Sequence, residues 1–113
     1  MKKVFISQPM NGKTDNEILA ERQEIIEMAK KDLGEIEVID SFFIGAPHDA
    51  KPLWFLGKSF ELLSNADVAY FADGWQLARG CKLEHGACIA YGIGIVYANS
   101  RNIYSDCLTN EVW

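Results

Sequence analysis

The sequence predicts one α/β domain of three layers, with helices on both faces of a mostly parallel sheet of four to five strands. Three observations carry that expectation. A chain of 113 residues with 49% apolar composition suits a single core, because domains cluster at about 100 to 150 residues. Short β-branched and aromatic runs alternate along it with longer stretches near the 3.6-residue period. Turn residues punctuate the junctions between them. Strands alternating with helices imply parallel pairing, and right-handed crossovers then place helices on both faces. The expected strand order is 2-1-3-4, a flavodoxin-like arrangement.

Val4-Phe5-Ile6 follows two lysines and runs into Ser7-Gln8-Pro9-Met10-Asn11-Gly12, so a first strand ends in a turn-rich loop. Asp15 is the expected cap of a long helix in which Ile18, Leu19, Ile25, Ile26, Met28, Ala29 and Leu33 recur near the helical period and Gly34 is the stop. Its other face is charged. Ile36 to Ile39 reads as a second strand. Residues 40 to 52 hold Gly45, Pro47, Asp49 and Pro52 without a clear period, the composition of a lid or binding loop beside a sheet. Helical spacing returns over 53 to 65 through Leu53, Leu56, Phe60 and Leu63, and the remaining elements are a strand over 67 to 72, a helix over 80 to 92 and a strand over 93 to 97. The tail from 101 to 113, with Ile103, Tyr104, Leu108, Val112 and Trp113, suits a fifth strand or a segment lying against a neighbouring subunit.

The formal charge of -5 argues against a nucleic-acid polymer or a membrane surface as partner, since both demand clustered Lys and Arg. A nucleotide-sized ligand needs only one or two cations locally. Cys81, Cys88 and Cys107 are odd in number and lack CxxC spacing, so neither a disulfide framework nor a zinc site is expected, and with no signal-peptide pattern the reducing cytoplasm is the expected location. No window reaches the roughly 18 unbroken apolar residues of a membrane helix.

If the first and third strands are neighbours, loops 7 to 14 and 73 to 79 rise side by side at the switch point of the sheet, where open α/β folds bind ligands. Gly12, Gly74 and Gly80 allow close backbone approach, free N–H groups at the helix start near Gly80 can hold an anion or ring oxygen, and Arg79 can grip a phosphate or carboxylate in two places. Glu84 is an isolated carboxylate in the first turns of the third helix, where the helix dipole favours the anion by about 0.3 to 1 kcal/mol. An ionised, positioned carboxylate without a metal suits attack on an electrophilic carbon such as a sugar C1. Asp73, at the strand end, is read either as a hydrogen-bonding partner for a ligand or as a turn cap before Gly74. Trp75 is either a stacking platform for a base or a lid over the core. His85 points about 100° from Glu84 on a helix, which suits packing or an interface, and His48 lies in the irregular loop. Ser7 to Thr14 resembles the end of a P-loop but lacks its leading glycine, and no G-x-G-x-x-G follows a strand.

The run Phe5-Ile6-Ser7-Gln8-Pro9-Met10-Asn11-Gly12 resembles the first-strand signature of small nucleoside 2-deoxyribosyltransferase-like proteins. Asp67 to Ala90, with Gly74-Trp75, Arg79-Gly80, Glu84 and Ala90, is similar to the second signature of their short phage and bacterial branch, which is related to deoxynucleoside 5′-monophosphate N-glycosidases. The resemblance covers the chain to about residue 97. It implies that Glu84 is the nucleophile toward C1′, that Ser7, Gln8, Pro9, Met10, Asn11 and Gly12 line the sugar pocket, and that Asp73 orients sugar or base. Gly74, Trp75, Arg79 and Gly80 complete the expected substrate-binding set. No cofactor is implied. Relatives assemble as homo-oligomers in which a neighbour's tail closes the site, which would give Tyr104 and Trp113 a role in trans. Two positions depart from the pattern. Ala78 stands where the hydrolase branch has a phosphate-contacting Ser, and Ser59 where many members have an acidic Asp, with Glu61 about 200° away on the helix. The expected function is cleavage or transfer of the N-glycosidic bond of a (deoxy)nucleoside or its 5′-monophosphate. The alternative is a non-catalytic nucleotide-binding module of the same fold.

Overall fold

A computed structural model describes residues 1–41 and 48–98. Four strands, β1 (Lys2–Ser7), β2 (Ile36–Ile39), β3 (Val68–Phe71) and β4 (Gly94–Tyr97), form an all-parallel sheet in the order β2-β1-β3-β4. They alternate with three helices, α1 (Asp15–Leu33), α2 (Pro52–Leu63) and α3 (Arg79–Tyr91), and a short 3-10 turn over Trp75–Leu77 precedes α3. The order matches the sequence expectation. Element ends differ from it by one or two residues, and the expected fifth strand falls outside the described residues, as do Tyr104, Cys107 and Trp113.

Side-chain alternation along β1 sets the layers. Val4 and Ile6 pack with Ile25 and Ala29 of α1 on one face, whereas Phe5 packs with Leu63 of α2 and with Cys81 and Cys88 of α3 on the other. Period two along a strand dictates this division. The Tyr70 hydroxyl of β3 donates to Asp32 at 2.7 Å, tying the sheet to the end of α1.

Helix α1 is capped by Thr14 rather than Asp15. The Thr14 hydroxyl accepts from the Glu17 N–H at 3.2 Å while the Glu17 carboxylate accepts from the Thr14 N–H at 2.9 Å, a capping box that contributes about 1 kcal/mol. Asp15 becomes the first helical residue. The inner stripe of the helix is also narrower than expected: Ile18, Arg22, Ile25 and Ala29 are buried, and Leu19 and Met28 are exposed. In α2 only Leu63 of the expected apolar face is fully buried, and Leu53 and Phe60 remain exposed.

The carboxyl ends of β1 and β3 lie together. Ser7 is in register with Phe71, and the Ala72 N–H donates to the Ser7 carbonyl at 3.0 Å. Beyond them the two loops touch at Gly74, whose φ of 87° is the left-handed conformation glycine accepts without strain. A Cβ placed on it would stand 3.7 Å from Pro9 Cγ, so the backbone conformation, not crowding, calls for glycine there.

Candidate functional site

Ser7 is the last residue of β1, and strand alternation turns its side chain to the α3 face. Helix α3 presents Cys81, Glu84, His85 and Cys88 inward, the i, i+3, i+4, i+7 spacing of a helix face. The two elements meet at one contact, where the Ser7 hydroxyl donates to the Glu84 carboxylate at 2.6 Å. Both residues are more than nine-tenths buried. Ser59, from α2, makes a second hydroxyl contact to the same carboxylate, and the Cys81 thiol is hydrogen-bonded to Ser7. Three elements therefore converge on Glu84.

Burial pushes the Glu84 carboxyl above its ordinary value, and hydrogen bonds from Ser7 and Ser59 pull it back part of the way. The expectation that the helix dipole alone keeps this group ionised is thus corrected. Glu84 is the sixth residue of α3, past the first turn where the dipole acts most strongly, and desolvation is the larger effect. The hydroxyls are what favour the anion here.

The expected sugar-pocket residues divide between the two faces of the sheet. Gln8, next after Ser7, turns to α1, where its amide N–H₂ donates to the Ile18 carbonyl at 3.0 Å and reaches Glu21 at 3.5 Å. With Pro9, Lys13, Glu21, Ala72 and Asp73 it lines a cleft of about 250 Å³. Glu84 does not line that cleft, so Gln8, Pro9 and Asp73 face a different space from the Ser7 and Glu84 pair. Lys13 pairs with Glu21 at 2.8 Å. Met10 is half-buried, Asn11 and Gly12 are exposed, and the Lys13 N–H donates to the Met10 carbonyl at 3.2 Å to close that turn. Arg79 is exposed at the first position of α3, followed by a half-buried Gly80.

Trp75 is a core residue. Its ring stacks on His85 at 4.1 Å between centroids and 22° between planes, and lies edge-on to Phe71 at 5.4 Å. Tyr97 stacks on it at 5.7 Å. The base-stacking platform expected from a loop tryptophan gives way to a lid over the core, because the 3-10 turn rolls the ring under α3 against apolar neighbours. His85 is buried, hydrogen-bonded to the Tyr97 hydroxyl at 2.7 Å, and held down to about 4 by burial. It is a packing residue. The buried thiols of Cys81 and Cys88 are each pushed up to about 11, far from the reactive thiolate range.

Two polar residues near the site escaped the sequence reading. Arg22 is buried in the inner stripe of α1 and donates through Nη2 to the Ile39 carbonyl at 3.2 Å and to the Ser41 hydroxyl at 3.1 Å. Ser41 in turn donates to the Ile6 carbonyl at 3.4 Å. The signal was present in the spacing 18, 22, 25, 29, which puts Arg22 in the middle of the buried face. Charge alone had assigned it to solvent.

Among the described residues no helix is long and apolar enough to cross a membrane. No family model and no curated protein matches the chain. Among solved structures it is similar to a conserved protein from Enterococcus faecalis V583, at 18% identity and a TM-score of 0.62, over 86% of this chain and 62% of that one. The chain spans less than two thirds of that neighbour's length. At such identity the likeness is one of fold, and fold alone does not assign chemistry.

Proposed function

We propose that the chain cleaves or transfers the N-glycosidic bond of a (deoxy)nucleoside or its 5′-monophosphate, with Glu84 as nucleophile. The observation that carries this reading is the 2.6 Å hydrogen bond joining Ser7, at the carboxyl end of β1, to a carboxylate buried in α3. A desolvated carboxylate aligned by two hydroxyls is a stronger nucleophile than a hydrated one, and its position at the switch point is where open α/β sheets hold ligands.

In the proposed reaction a Glu84 oxygen attacks C1′. The C1′–N bond breaks with its electron pair on the base, which takes a proton from solvent, and a glycosyl ester remains. Water or the nitrogen of a second base then attacks C1′, gives up its proton to solvent and releases the carboxylate. Ser7 keeps one carboxylate oxygen fixed while the other reacts. The chain works as a homo-oligomer in the reducing cytoplasm on this reading, supported by the exposed apolar Leu53 and Phe60 of α2 and by cysteines that follow no disulfide framework.

One observation favours the second reading, a binding module without turnover. Ser59, rather than a carboxylic acid, contacts Glu84 from α2, and a hydroxyl is a poor proton donor to a departing base. A panel of deoxynucleosides and their 5′-monophosphates separates the two. The expected outcome is free base detected by chromatography, abolished by Glu84→Gln with the far-UV circular dichroism unchanged. Binding without base release would establish the module instead.

A further inference from the structure

A buried acceptor without a donor calls for a partner, because desolvation removes its hydrogen bonds to water and nothing replaces them. Gln8 is 5% exposed. Its amide nitrogen donates to the Ile18 carbonyl at 3.0 Å and reaches Glu21 at 3.5 Å, which fixes the carboxamide in one orientation. Its Oε1 is buried with no hydrogen-bond partner among the described residues. Gln8 is also part of the wall of the cleft of about 250 Å³ beside α1. That cleft lies at the carboxyl ends of three strands, since Gln8 follows β1, Ala72 follows β3 and Ala98 follows β4. Helix α1 leaves β1 for one face of the sheet and α3 leaves β3 for the other, which makes this the switch point where open α/β sheets hold ligands.

The wall selects the ligand. Three carboxylates, Glu21, Glu24 and Asp73, line the cleft with one ammonium, Lys13, which Glu21 already holds at 2.8 Å. That balance attracts a cation. A metal ion is a poor fit, because among the described residues no three His, Cys, Asp or Glu side chains are grouped to share one. A guanidinium is gripped best by two parallel acceptors, whereas an ammonium is a compact charge whose three donors go to separate acceptors, here an amide oxygen and carboxylates from different elements. Ile25 and Met28 add an apolar strip, suited to the stem of a short alkyl chain. The volume falls below the roughly 300 to 1,000 Å³ of pockets for drug-sized ligands, so the ligand is small. We propose that this cleft is a second binding site, taking an aliphatic primary ammonium ion whose charge is received by the Gln8 amide oxygen with Glu24 and Asp73 and whose chain lies on Ile25 and Met28. The site does not rest on the glycosyl-transfer reading, because Glu84 is not part of the cleft wall.

Proton–nitrogen NMR tests this directly, through the side-chain amide of Gln8 and the backbone amide of Ile25. The full chain is titrated at neutral pH with butylamine, 1,4-diaminobutane, the Nα-acetyl methylamide of lysine, deoxynucleosides and, as a neutral control, 1-butanol. The amines are expected to give saturable shifts at both reporters, with affinity about tenfold or more above that of butanol, the span of one charged hydrogen bond. Gln8→Met keeps the length of the side chain and removes the acceptor, and should lower amine affinity by about tenfold, followed at Ile25. Glu24→Gln and Asp73→Asn should each weaken it severalfold, and Glu84→Gln should leave it unchanged. If Gln8→Met does not fold, the two surface variants carry the test. Tighter binding of the diamine would mark a free amine as the ligand and tighter binding of the lysine derivative a peptide side chain, and both uphold an ammonium site. Equal affinity for butanol, no saturable shift at millimolar amine, amine binding indifferent to the cleft variants, or shifts at Gln8 caused by deoxynucleosides and not by amines overturns the proposal. Base release by a chain that binds no amine would overturn this site and leave the catalytic reading standing.

Discussion

At Glu84 two opposing influences act on one proton. Burial favours the neutral acid, and the hydroxyls of Ser7 and Ser59 favour the anion. A nucleophile must be ionised, so the acid limb of kcat/KM is expected above the ordinary carboxylate value of 4.5. Removing a donor that stabilises the anion moves the proton's affinity further up. Ser7→Ala should therefore shift that limb to higher pH and lower the rate at neutral pH by about tenfold or more, the scale of one charged hydrogen bond. A pH profile of base release measures it, and an unmoved acid limb would detach Ser7 from the ionisation of Glu84. The meeting of Ser7 and Glu84 was legible in the sequence, because a strand end and an inward helical position could be read separately and joined through the expected strand order. The contact from Ser59 was not legible. At the level of sequence a serine facing a glutamate across two helices is indistinguishable from a surface serine, and tertiary packing alone brings α2 to α3.

Helix α3 carries two neighbouring titratable groups whose burial tilts stability in opposite senses. His85 is held down to about 4, so the unfolded chain binds its proton first as the pH falls. Stability from His85 is complete above about 6.5 and is lost as the pH drops toward about 4, with a slope of at most about 1.4 kcal/mol per pH unit. Glu84 works the other way. Its raised value means the unfolded chain releases its proton first, so stability declines as the pH climbs from 4.5 through the folded-state value. His85→Phe keeps an aromatic ring against Trp75 and removes the titration. Urea unfolding at a series of pH values should show the wild type weakening between 6.5 and 4 and the variant changing less over that interval; parallel curves would mean that His85 does not set the acid limb. The packing role of His85 was readable from its angle to Glu84 on the helix, but its partners, Trp75 and Tyr97, were not, because no local pattern encodes that stack. In α1 the opposite error arose. Apolar residues at 19 and 28 suggested a wide buried face, whereas only the stripe of 18, 22, 25 and 29 is buried, and Arg22 belongs to it because its guanidinium finds acceptors at the end of β2.

Across the molecule, alternation and right-handed crossover imply parallel strands with helices on both faces, the expected order 2-1-3-4 is the one the sheet adopts, and such topological features survive errors of a residue or two at every element end. What topology does not settle is which helix faces remain bare. Helix α2 places Leu53 and Phe60 seven residues apart, on one side of the helix, with exposures of 77% and 39%. Scattered single apolar residues on a surface require no explanation, and this pair is where the proposed self-association is tested. If the chain self-associates through that stripe, analytical ultracentrifugation at micromolar concentration should give the mass of at least two chains. Leu53→Glu combined with Phe60→Glu places two like charges in the contact and should bring the mass to that of one chain, with the melting temperature of the remaining fold changed by only a few degrees because neither side chain belongs to the core clusters. A single-chain mass for the wild type would remove self-association from the proposed mechanism and require each domain to complete its site from its own residues. An oligomer that survives both charges would place the contact on another face.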